Sequence, residues 1–362
     1  MQISVECLTT VLTTLFERAG AEPANARICA GHLVEANLKG YDSHGASLAP
    51  VYLRWIAQGR VLPNQRGAVI HDRGAVLVID GGFGLGQVVG ADAMRLAIDR
   101  ARQSGIACVA LRRSGHLGRI GAYGEQCAEA GLVSMHYVNG VGHAPSVAPF
   151  GGRVPRLVTN PYCCVVPSAD GQHVVVDFAT SAIAIGAAHV AHRRGVPVPA
   201  HALVDAEGRP TTDPGTLFAD GPRGHLLPFG QHKGGGLQVL CELLGGALAG
   251  QWTIQSDRAP GATINNMLSI VIDPEAFGGR EPFEREVTAL AAYLRSTPPA
   301  EGFARVQLPG DPERDTMRTR LRDGLDLDDR TWASLASAAG HLGVDAGAVA
   351  GVTGPAGAAS ST

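Results

Sequence analysis

The sequence lacks the features that identify several common classes of protein. Aromatic residues make up only 5% of the 362 residues. No uninterrupted apolar run reaches the roughly 18 residues that predict a transmembrane helix. Lys and Arg (30) nearly balance Asp and Glu (33), and this net charge of −3 indicates neither a nucleic-acid partner nor an anionic membrane. The opening segment has no basic start and carries Glu6 and Glu17, so we expect an amphipathic helix there rather than a signal peptide.

Familiar metal and nucleotide motifs are missing as well. The seven cysteines are scattered without a CxxC pair, which favours a reducing, cytoplasmic compartment. Neither HExxH nor a Cys/His cluster occurs, so we expect no metal site. The glycines of DGGFGLGQ (80–87) do not have the GxGxxG spacing of the common dinucleotide-binding fold, and there is no P-loop.

Hydrophobic periodicity predicts a protein in which strands alternate with helices, and therefore a mixed α/β class. We expect helices over residues 1–60, a pair of strands within RLVTNPYCCVVPS and GQHVVVDFATS around a polar turn, and a helix that starts at a Thr180/Ser181 cap. HKGGGLQVLCELLGGALAG (232–250) predicts a long apolar helix, and Asp328 or Asp329 is expected to cap the last helix. Cys163 and Cys164 lie in an apolar strand and are interpreted as core residues.

Three histidines occupy glycine-rich junctions between a loop and a helix. They are His44 in DSHG, His116 in SGHLG and His232 in QHKGGG. Main-chain N–H groups and the helix dipole favour an anion at such junctions, and an imidazole can move a proton near neutral pH. This recurrence predicts a functional site. By contrast, His189 and His192 lie beside Arg193 and Arg194, so an exposed helix face is favoured there over a shared metal.

The arrangement of motifs resembles the type-2 malate/L-lactate dehydrogenase family, which is unrelated in fold to Rossmann lactate dehydrogenases. That family also includes ureidoglycolate and sulfolactate dehydrogenases and Δ1-piperideine-2-carboxylate (ketimine) reductases. The resemblance runs collinearly from about residue 5 to residue 345. It is carried by DSHG (42–45), DGGFGLGQ (80–87), SGHLGRIGAY (114–123), TNP (159–161), DFATS (177–181), TTDP (211–214), HKGGGL (232–237), IDP (272–274) and LPGDPE (308–313).

The resemblance implies an NADH- or NADPH-dependent oxidoreductase acting on a 2-oxo acid or a cyclic imine. It implies catalytic roles for His44, His116, Ser43 and Asp177. The implied cofactor-binding residues are His116, Gly118, Thr159, Asn160, Asp177, Phe178, Ala179, Thr180, Ser181, His232, Lys233, Gly234 and Gly310. The implied substrate-binding positions are Leu48, Tyr52, Arg119 and Asn139.

The resemblance also carries expectations about architecture. It implies a non-Rossmann fold with a mixed, largely antiparallel sheet and a discontinuous helical domain, in a homodimer. We expect residues 1–75 to form the helical N-terminal part of a substrate and dimerisation domain, and 76–290 to form the cofactor-binding core. Residues 291–345 would pack back on the N-terminal part, and 346–362 would be a disordered tail.

Two departures from the family pattern concern positive charge. Family members commonly read SHGxxR, whereas this chain has Leu48 at the arginine position. A planar guanidinium binds a carboxylate with two hydrogen bonds, and leucine cannot do so. After DFATS the family often has Gly-Lys, and this chain has Gly186–Ala187. Arg119 or Arg54 would be the replacements to consider.

Three hypotheses follow. The first is an active reductase with an altered substrate, larger or poor in carboxylate, from specialised metabolism. The second is the ordinary activity on a 2-oxo acid, with another arginine binding the carboxylate. The third is a degenerate member that binds cofactor without turnover, which the retention of Ser43, His44, His116 and Asp177 argues against.

Overall fold

The computed structural model describes residues 1–349, with the main chain alone at Val190, Arg193 and Arg194. The α-helices of this part of the chain are α1 (Val5–Arg18), α2 (Pro23–Leu38), α3 (Ala49–Ala57), α4 (Gly86–Ser104), α5 (Gly121–Glu129), α6 (Ile185–Arg194), α7 (His232–Cys241), α8 (Arg280–Arg295), α9 (Asp311–Asp323), α10 (Asp329–His341) and α11 (Ala346–Val349). A π-helical segment, Glu242–Gly250, continues α7.

The strands are β1 (Gln2–Ile3), β2 (Ala68–Arg73), β3 (Val76–Asp80), β4 (Ile106–Gly115), β5 (Val133–Val141), β6 (Tyr162–Val166), β7 (Val174–Phe178), β8 (Leu203–Val204), β9 (Pro210–Thr211), β10 (His225–Leu226), β11 (Ile264–Ile272) and β12 (Leu325–Asp326). Short 3-10 turns include Asp42–His44 and Ala46–Leu48.

Two compact units divide the chain. One consists of residues 1–64 together with the chain from Pro312 onward, and the other spans residues 65–311. The first unit is therefore discontinuous. Its boundaries differ from the expected ones, which lay after residues 75 and 290.

A seven-stranded sheet organises the second unit, with strand order β2-β3-β4-β11-β5-β6-β7. β3 and β4 are parallel, and the other neighbouring pairs are antiparallel. The expectation of a mixed, largely antiparallel sheet is confirmed. β11 comes late in the chain and inserts between β4 and β5, which brings residues near 265 beside the ends of both strands.

Helices α4 and α5 bury their apolar faces in the core of this unit. In α4, Val89, Ala93 and Ala97 recur at helical spacing and pack in one buried cluster with Leu111 of β4. Burying a valine- or leucine-sized side chain contributes about 1.5–3 kcal/mol, so this spacing explains why the segment forms a helix on the sheet. Cys163 belongs to this cluster, as expected, whereas Cys164 is half-buried.

The first unit is mainly helical. α1 buries a regular apolar stripe that includes Leu8, Leu12 and Leu15. β1 pairs with β12, joining the two separated parts of the sequence. Asp328 caps α10 by accepting a hydrogen bond from the Thr331 amide, which confirms one of the two expected caps.

Some local expectations were wrong. α6 begins at Ile185 rather than at a Thr180/Ser181 cap, and its N-cap position is Ala184. β2 was not anticipated. Residues 346–349 form the short helix α11 instead of a disordered tail, while 350–362 lie outside the described residues. No helix within residues 1–349 is long and apolar enough to cross a membrane.

Candidate functional site

The DSHG segment forms a 3-10 turn in the first unit. The Ser43 hydroxyl lies 3.0 Å from Nδ1 of His44, so that ring nitrogen is occupied by a hydrogen bond within the segment. The His44 residue is half-buried, and desolvation of its ring lowers the pKa below its usual value of 6.5. A neutral imidazole is therefore favoured at pH 7.

Asp42 and Gly45 explain the rest of this motif. The Asp42 carboxylate accepts hydrogen bonds from Asn37 Nδ2 at 2.7 Å and from both terminal nitrogens of Arg320. Asn37 Oδ1 accepts from the Ala46 amide at 2.8 Å. A Cβ at position 45 would collide with the Asn37 amide, so only glycine lets the turn approach this close. Together these contacts fix the main chain on both sides of His44.

Leu48 and Tyr52, the two expected substrate-binding positions of this unit, come shortly after the DSHG segment in the sequence. Leu48 ends the next 3-10 turn and is half-buried, while Tyr52 is buried and stacks on Trp55 with 5.8 Å between ring centroids. Arg54 is exposed on α3. Tyr52 thus has an evident packing role, whereas Leu48 presents apolar surface beside the DSHG turn.

His116 lies in the loop between β4 and α5 of the second unit. Its ring is half-buried, and its carbonyl accepts a hydrogen bond from Gln87 Nε2 at 3.1 Å. The next amide, of Leu117, donates to Asn265 Oδ1 at 2.8 Å, and Gly118 adopts a left-handed φ of 73°. The loop is therefore held by side chains from α4 and β11.

Arg119 and Asp177 occupy a buried ion cluster rather than an open surface. Arg119 is 2% exposed, donates to Glu125 at 2.8 Å and lies 3.8 Å from Asp177. Asp177 also accepts a hydrogen bond from the Gly121 amide at the start of α5. These contacts place the Arg119 guanidinium beside two internal carboxylates, and its expected role in substrate binding stays a prediction. They also give Asp177 a structural function at the N-terminus of α5.

The TNP and DFATS segments are joined through main-chain carbonyls. The Thr180 hydroxyl donates to the carbonyls of Thr159 and Asn160, at 2.9 and 3.0 Å. The Ser181 hydroxyl donates to the Ile183 carbonyl. Both hydroxyls thus support the loop that precedes α6 instead of capping the helix. Phe178 and Ala179 are half-buried in the same stretch.

A buried polar network adjoins these segments. Asn139 and Asn160 are fully buried, and both donate side-chain hydrogen bonds to the carboxylate of Glu242, at 3.2 and 2.7 Å. The expected roles of Asn139 in substrate binding and of Asn160 in cofactor binding stay predictions, and in the structure both side chains are enclosed by protein. Glu242 was missed, although a lone carboxylate inside the apolar run LQVLCELLGG was a visible signal.

The entrance to α7 is exposed. Gln231 precedes it in an unusual conformation, with φ 57° and ψ −120°, and His232 and Lys233 are both exposed. The Gly234 amide donates to the Phe229 carbonyl. Backbone strain in a residue other than glycine is concentrated at functional sites.

Gly310 lies in the turn before α9. It has a φ of 95°, and the preceding Pro309 carbonyl accepts a hydrogen bond from the Val175 amide of β7. His189 and His192 are exposed and lie against the Phe218 ring. No group of three or more potential metal ligands occurs among the residues the structure describes.

Comparisons with known proteins identify the group to which these motifs belong. A model of the malate/L-lactate dehydrogenase family matches residues 3–336. The chain belongs to this family. It is 41% identical over 348 residues to hydroxycarboxylate dehydrogenase B of Escherichia coli K12, covering 95% of each chain. It is 45% identical over 317 residues to L-lactate dehydrogenase of Cupriavidus necator, covering 87% of this chain and 90% of that protein.

Solved structures of family members share the fold. A putative malate/lactate dehydrogenase from E. coli has a TM-score of 0.91 at 40% identity, over 97% of this chain and 98% of that one. Δ1-piperideine-2-carboxylate reductase from Pseudomonas syringae has a TM-score of 0.79 at 32% identity, over 94% of this chain and all of that one (100%). The protein is thus an NAD(P)-dependent oxidoreductase of the malate/L-lactate dehydrogenase type.

Proposed function

We propose that the protein reduces the C=O group of a 2-oxo acid derivative, or the C=N group of a cyclic imine, with NADH or NADPH. We further propose that its preferred substrate places an apolar or uncharged group, instead of a free carboxylate, against Leu48. The observation that carries this proposal is the half-buried Leu48, which lies four positions after His44 where family members commonly have arginine.

The residues of the second unit suit a dinucleotide. α6 has ten residues and no side chain caps its N-terminus, which leaves partial positive charge available to a phosphate. Lys233 adds an exposed cation at the entrance to α7. The donor set therefore fits a pyrophosphate. We propose that the 177–181 segment, His232, Lys233 and the turn at Gly310 hold the cofactor.

The proposed chemistry assigns the proton to histidine. A nicotinamide held by these residues would supply the hydride for the substrate carbon, and the heteroatom that receives the π electrons of the C=O or C=N bond would then need a proton. His44 then transfers a proton to that atom from Nε2, since Nδ1 is engaged with Ser43. We propose that His116 also contacts the reacting part of the substrate or the nicotinamide. In the oxidation direction, neutral His44 accepts the proton.

The second candidate is the ordinary activity on a simple 2-hydroxy acid. It is favoured by two relatives of the chain, a hydroxycarboxylate dehydrogenase and an L-lactate dehydrogenase. Arg54, exposed on α3, would then bind the carboxylate. Arg119 is less suited, because Glu125 and Asp177 surround its guanidinium.

We also propose that the protein acts as a homodimer. α8 is a 16-residue amphipathic helix with no buried residue, and it exposes Leu290 (57%) and Tyr293 (73%). A helix of this pattern normally buries its apolar face against another surface, and a second copy of the chain is the occupant we propose. Sedimentation of the purified protein should give twice the chain mass of 37.4 kDa; a monomer at micromolar concentration would contradict this.

A cytoplasmic location and a substrate from specialised metabolism remain predictions. The seven cysteines are free thiols, which suits a reducing compartment.

The test of the proposed function is a binding and turnover panel. Nicotinamide fluorescence should change when the protein is titrated into NADH or NADPH, and binding of neither would refute the proposal. Absorbance of the reduced cofactor is then followed with pyruvate, oxaloacetate, a cyclic imine carboxylate, and the methyl ester of each. Turnover of the esters or larger compounds favours the first candidate, and turnover restricted to free 2-oxo acids favours the second. Binding without turnover of any compound would indicate a degenerate family member.

A further inference from the structure

We infer that Glu242 is a positioning residue for this oxidoreductase, and that its buried carboxylate sets the conformation of the TNP segment and steadies the loop that carries His116. The inference rests on the proposed function, since it concerns the segments assigned to cofactor and substrate.

Glu242 is an unusual residue to find buried. It is 7% exposed, and it begins the π-helical segment that follows α7. Its carboxylate accepts from three neutral donors: Asn139 Nδ2 at 3.2 Å, Asn160 Nδ2 at 2.7 Å and the Ile254 amide at 2.6 Å. Burying a carboxylate is costly unless hydrogen bonds replace its water, and π-helical insertions are frequently found at functional sites.

The first branch of the network leads to the TNP segment. Asn160 has a φ of 28°, in the left-handed region that residues other than glycine seldom adopt. Its Nδ2 donates to Glu242, and its Oδ1 accepts from the Gly140 amide at 3.3 Å. Its carbonyl, in turn, accepts from the Thr180 hydroxyl at 3.0 Å. The Glu242 carboxylate therefore holds Asn160 in a strained conformation, and the Asn160 carbonyl in turn contacts Thr180 of the DFATS segment.

The second branch leads toward His116. The Asn139 side chain donates to Glu242, while its carbonyl accepts from Asn265 Nδ2 at 2.9 Å. Asn265 Oδ1 accepts from the amide of Leu117, the residue after His116, at 2.8 Å. Asn265 also lies where the register of β11 with β4 shifts, so its side chain can reach this loop.

The two branches meet at one carboxylate because the π-helical segment lies very close to the sheet. A Cβ at Gly246 would collide with the Asn139 amide. Glycine at this position allows the close approach, and the two oxygens of Glu242 then serve both asparagines.

The test swaps the carboxylate and the amide of the Glu242–Asn160 pair, so that position 242 carries the amide and position 160 the carboxylate. Glu242→Gln places its amide nitrogen against the donor Asn160 Nδ2. Asn160→Asp places a carboxylate against the Glu242 carboxylate, and it also removes the hydrogen bond from Asn160 Nδ2 to the Gln238 carbonyl at 3.4 Å. In Glu242→Gln with Asn160→Asp, the Gln amide donates to the Asp carboxylate, and its oxygen still accepts from Asn139 and Ile254. Glu17→Gln, at an exposed position of α1, is the matched control for loss of a carboxylate.

We expect each single variant to weaken NADPH or NADH binding and to lower kcat/KM for the best substrate of the panel by about 10- to 100-fold. The double variant should recover both to within about fivefold of the parent, because coupled neighbours are not additive. Glu17→Gln should match the parent.

Hydrogen exchange of the peptides containing the Leu117 and Thr180 amides provides a readout that does not depend on activity. Exchange should be faster in each single variant and return to the parent rate in the double variant. This readout separates the two proposals: a parent protein that binds no nicotinamide nucleotide refutes the proposed function, while the exchange pattern still tests the role of Glu242.

Three results would overturn the inference. They are single variants with unchanged exchange and nucleotide affinity, a double variant that regains thermal stability without regaining exchange protection and affinity, and a double variant that does not fold. If neither single variant folds, the double variant is compared directly with the parent under the same criteria.

Discussion

Arg320 donates two hydrogen bonds to the carboxylate of Asp42, at 2.6 and 3.0 Å, although 278 positions separate the two residues in the chain. A planar guanidinium paired with both carboxylate oxygens defines an orientation as well as a distance. Asp42 begins the turn that contains Ser43 and His44. The late helix α9 therefore orients the histidine to which we assign proton transfer.

The first prediction concerns this pair. Arg320→Gln removes the two-fold contact and should lower kcat/KM about 10-fold, because His44 would no longer be held in one orientation. Arg318→Gln, on the same helix, disrupts an exposed surface pair with Asp315 and should leave kcat/KM unchanged. Equal effects of the two substitutions would show that the Asp42 contact does not position His44.

The second prediction concerns pH. Burial lowers the pKa of His44 below 6.5. Reduction needs the protonated ring, so kcat/KM for reduction should fall as pH rises through that lowered pKa. Oxidation needs the neutral ring, so kcat/KM for oxidation should rise over the same range and level off near neutrality. Profiles from pH 5 to 9 in both directions provide the measurement, and an inflection above pH 7.5 for reduction would be inconsistent with the assignment.

The third prediction concerns the two histidines themselves. His44→Ala and His116→Ala should each lower turnover by roughly 10²- to 10⁴-fold, the range of general acid–base contributions. His71→Ala, on the exposed strand β2, is the matched control and should retain parental turnover. Unchanged turnover in both active-site variants would refute the assignment of the site.

The fourth prediction concerns stability in acid. His136 is fully buried between Ser134 and Ser269, and burial lowers its pKa from 6.5 to about 3. Below pH 6.5 the unfolded chain gains a proton at this residue that the folded chain does not. The free energy of unfolding should therefore drop by about 2–3 kcal/mol through this residue between pH 7 and pH 4.5.

Urea unfolding of the parent and of His136→Gln at both pH values measures this contribution. The variant should be less stable at pH 7 but lose less stability in acid. Parallel losses in the two proteins would mean that His136 does not contribute to acid sensitivity.

The class of fold and several of its helices and strands could be predicted from the sequence, because strands and amphipathic helices have strong local periodicity. It predicted the strand pair β6–β7, the helix at 232–250 and the cap at Asp328. It also indicated an oxidoreductase through motifs spread over nearly the whole chain.

The sequence could not predict the hydrogen-bond and ion-pair partners that the folding of the sheet brings together. Thr180 has the composition of a cap, but its hydroxyl is drawn to the carbonyls of Thr159 and Asn160. Arg119 was expected to bind substrate. In the structure, Asp177 of β7, which pairs with β6, and Glu125 of α5 lie beside its guanidinium. Glu125 is only six positions from Arg119, but Asp177 lies far from it in the chain, and local patterns carry no information about such a long-range partner.

We propose that Leu48 sets the substrate preference, and one ratio of rates tests this claim. The value of kcat/KM for a 2-oxo acid methyl ester is divided by that for the free acid, in the parent and in Leu48→Arg. The claim predicts a parent ratio near or above one. It predicts a ratio about 10- to 100-fold lower in Leu48→Arg, because the introduced guanidinium would bind the free carboxylate. A parent that prefers the free acid by 100-fold, with a ratio unchanged in Leu48→Arg, would contradict it.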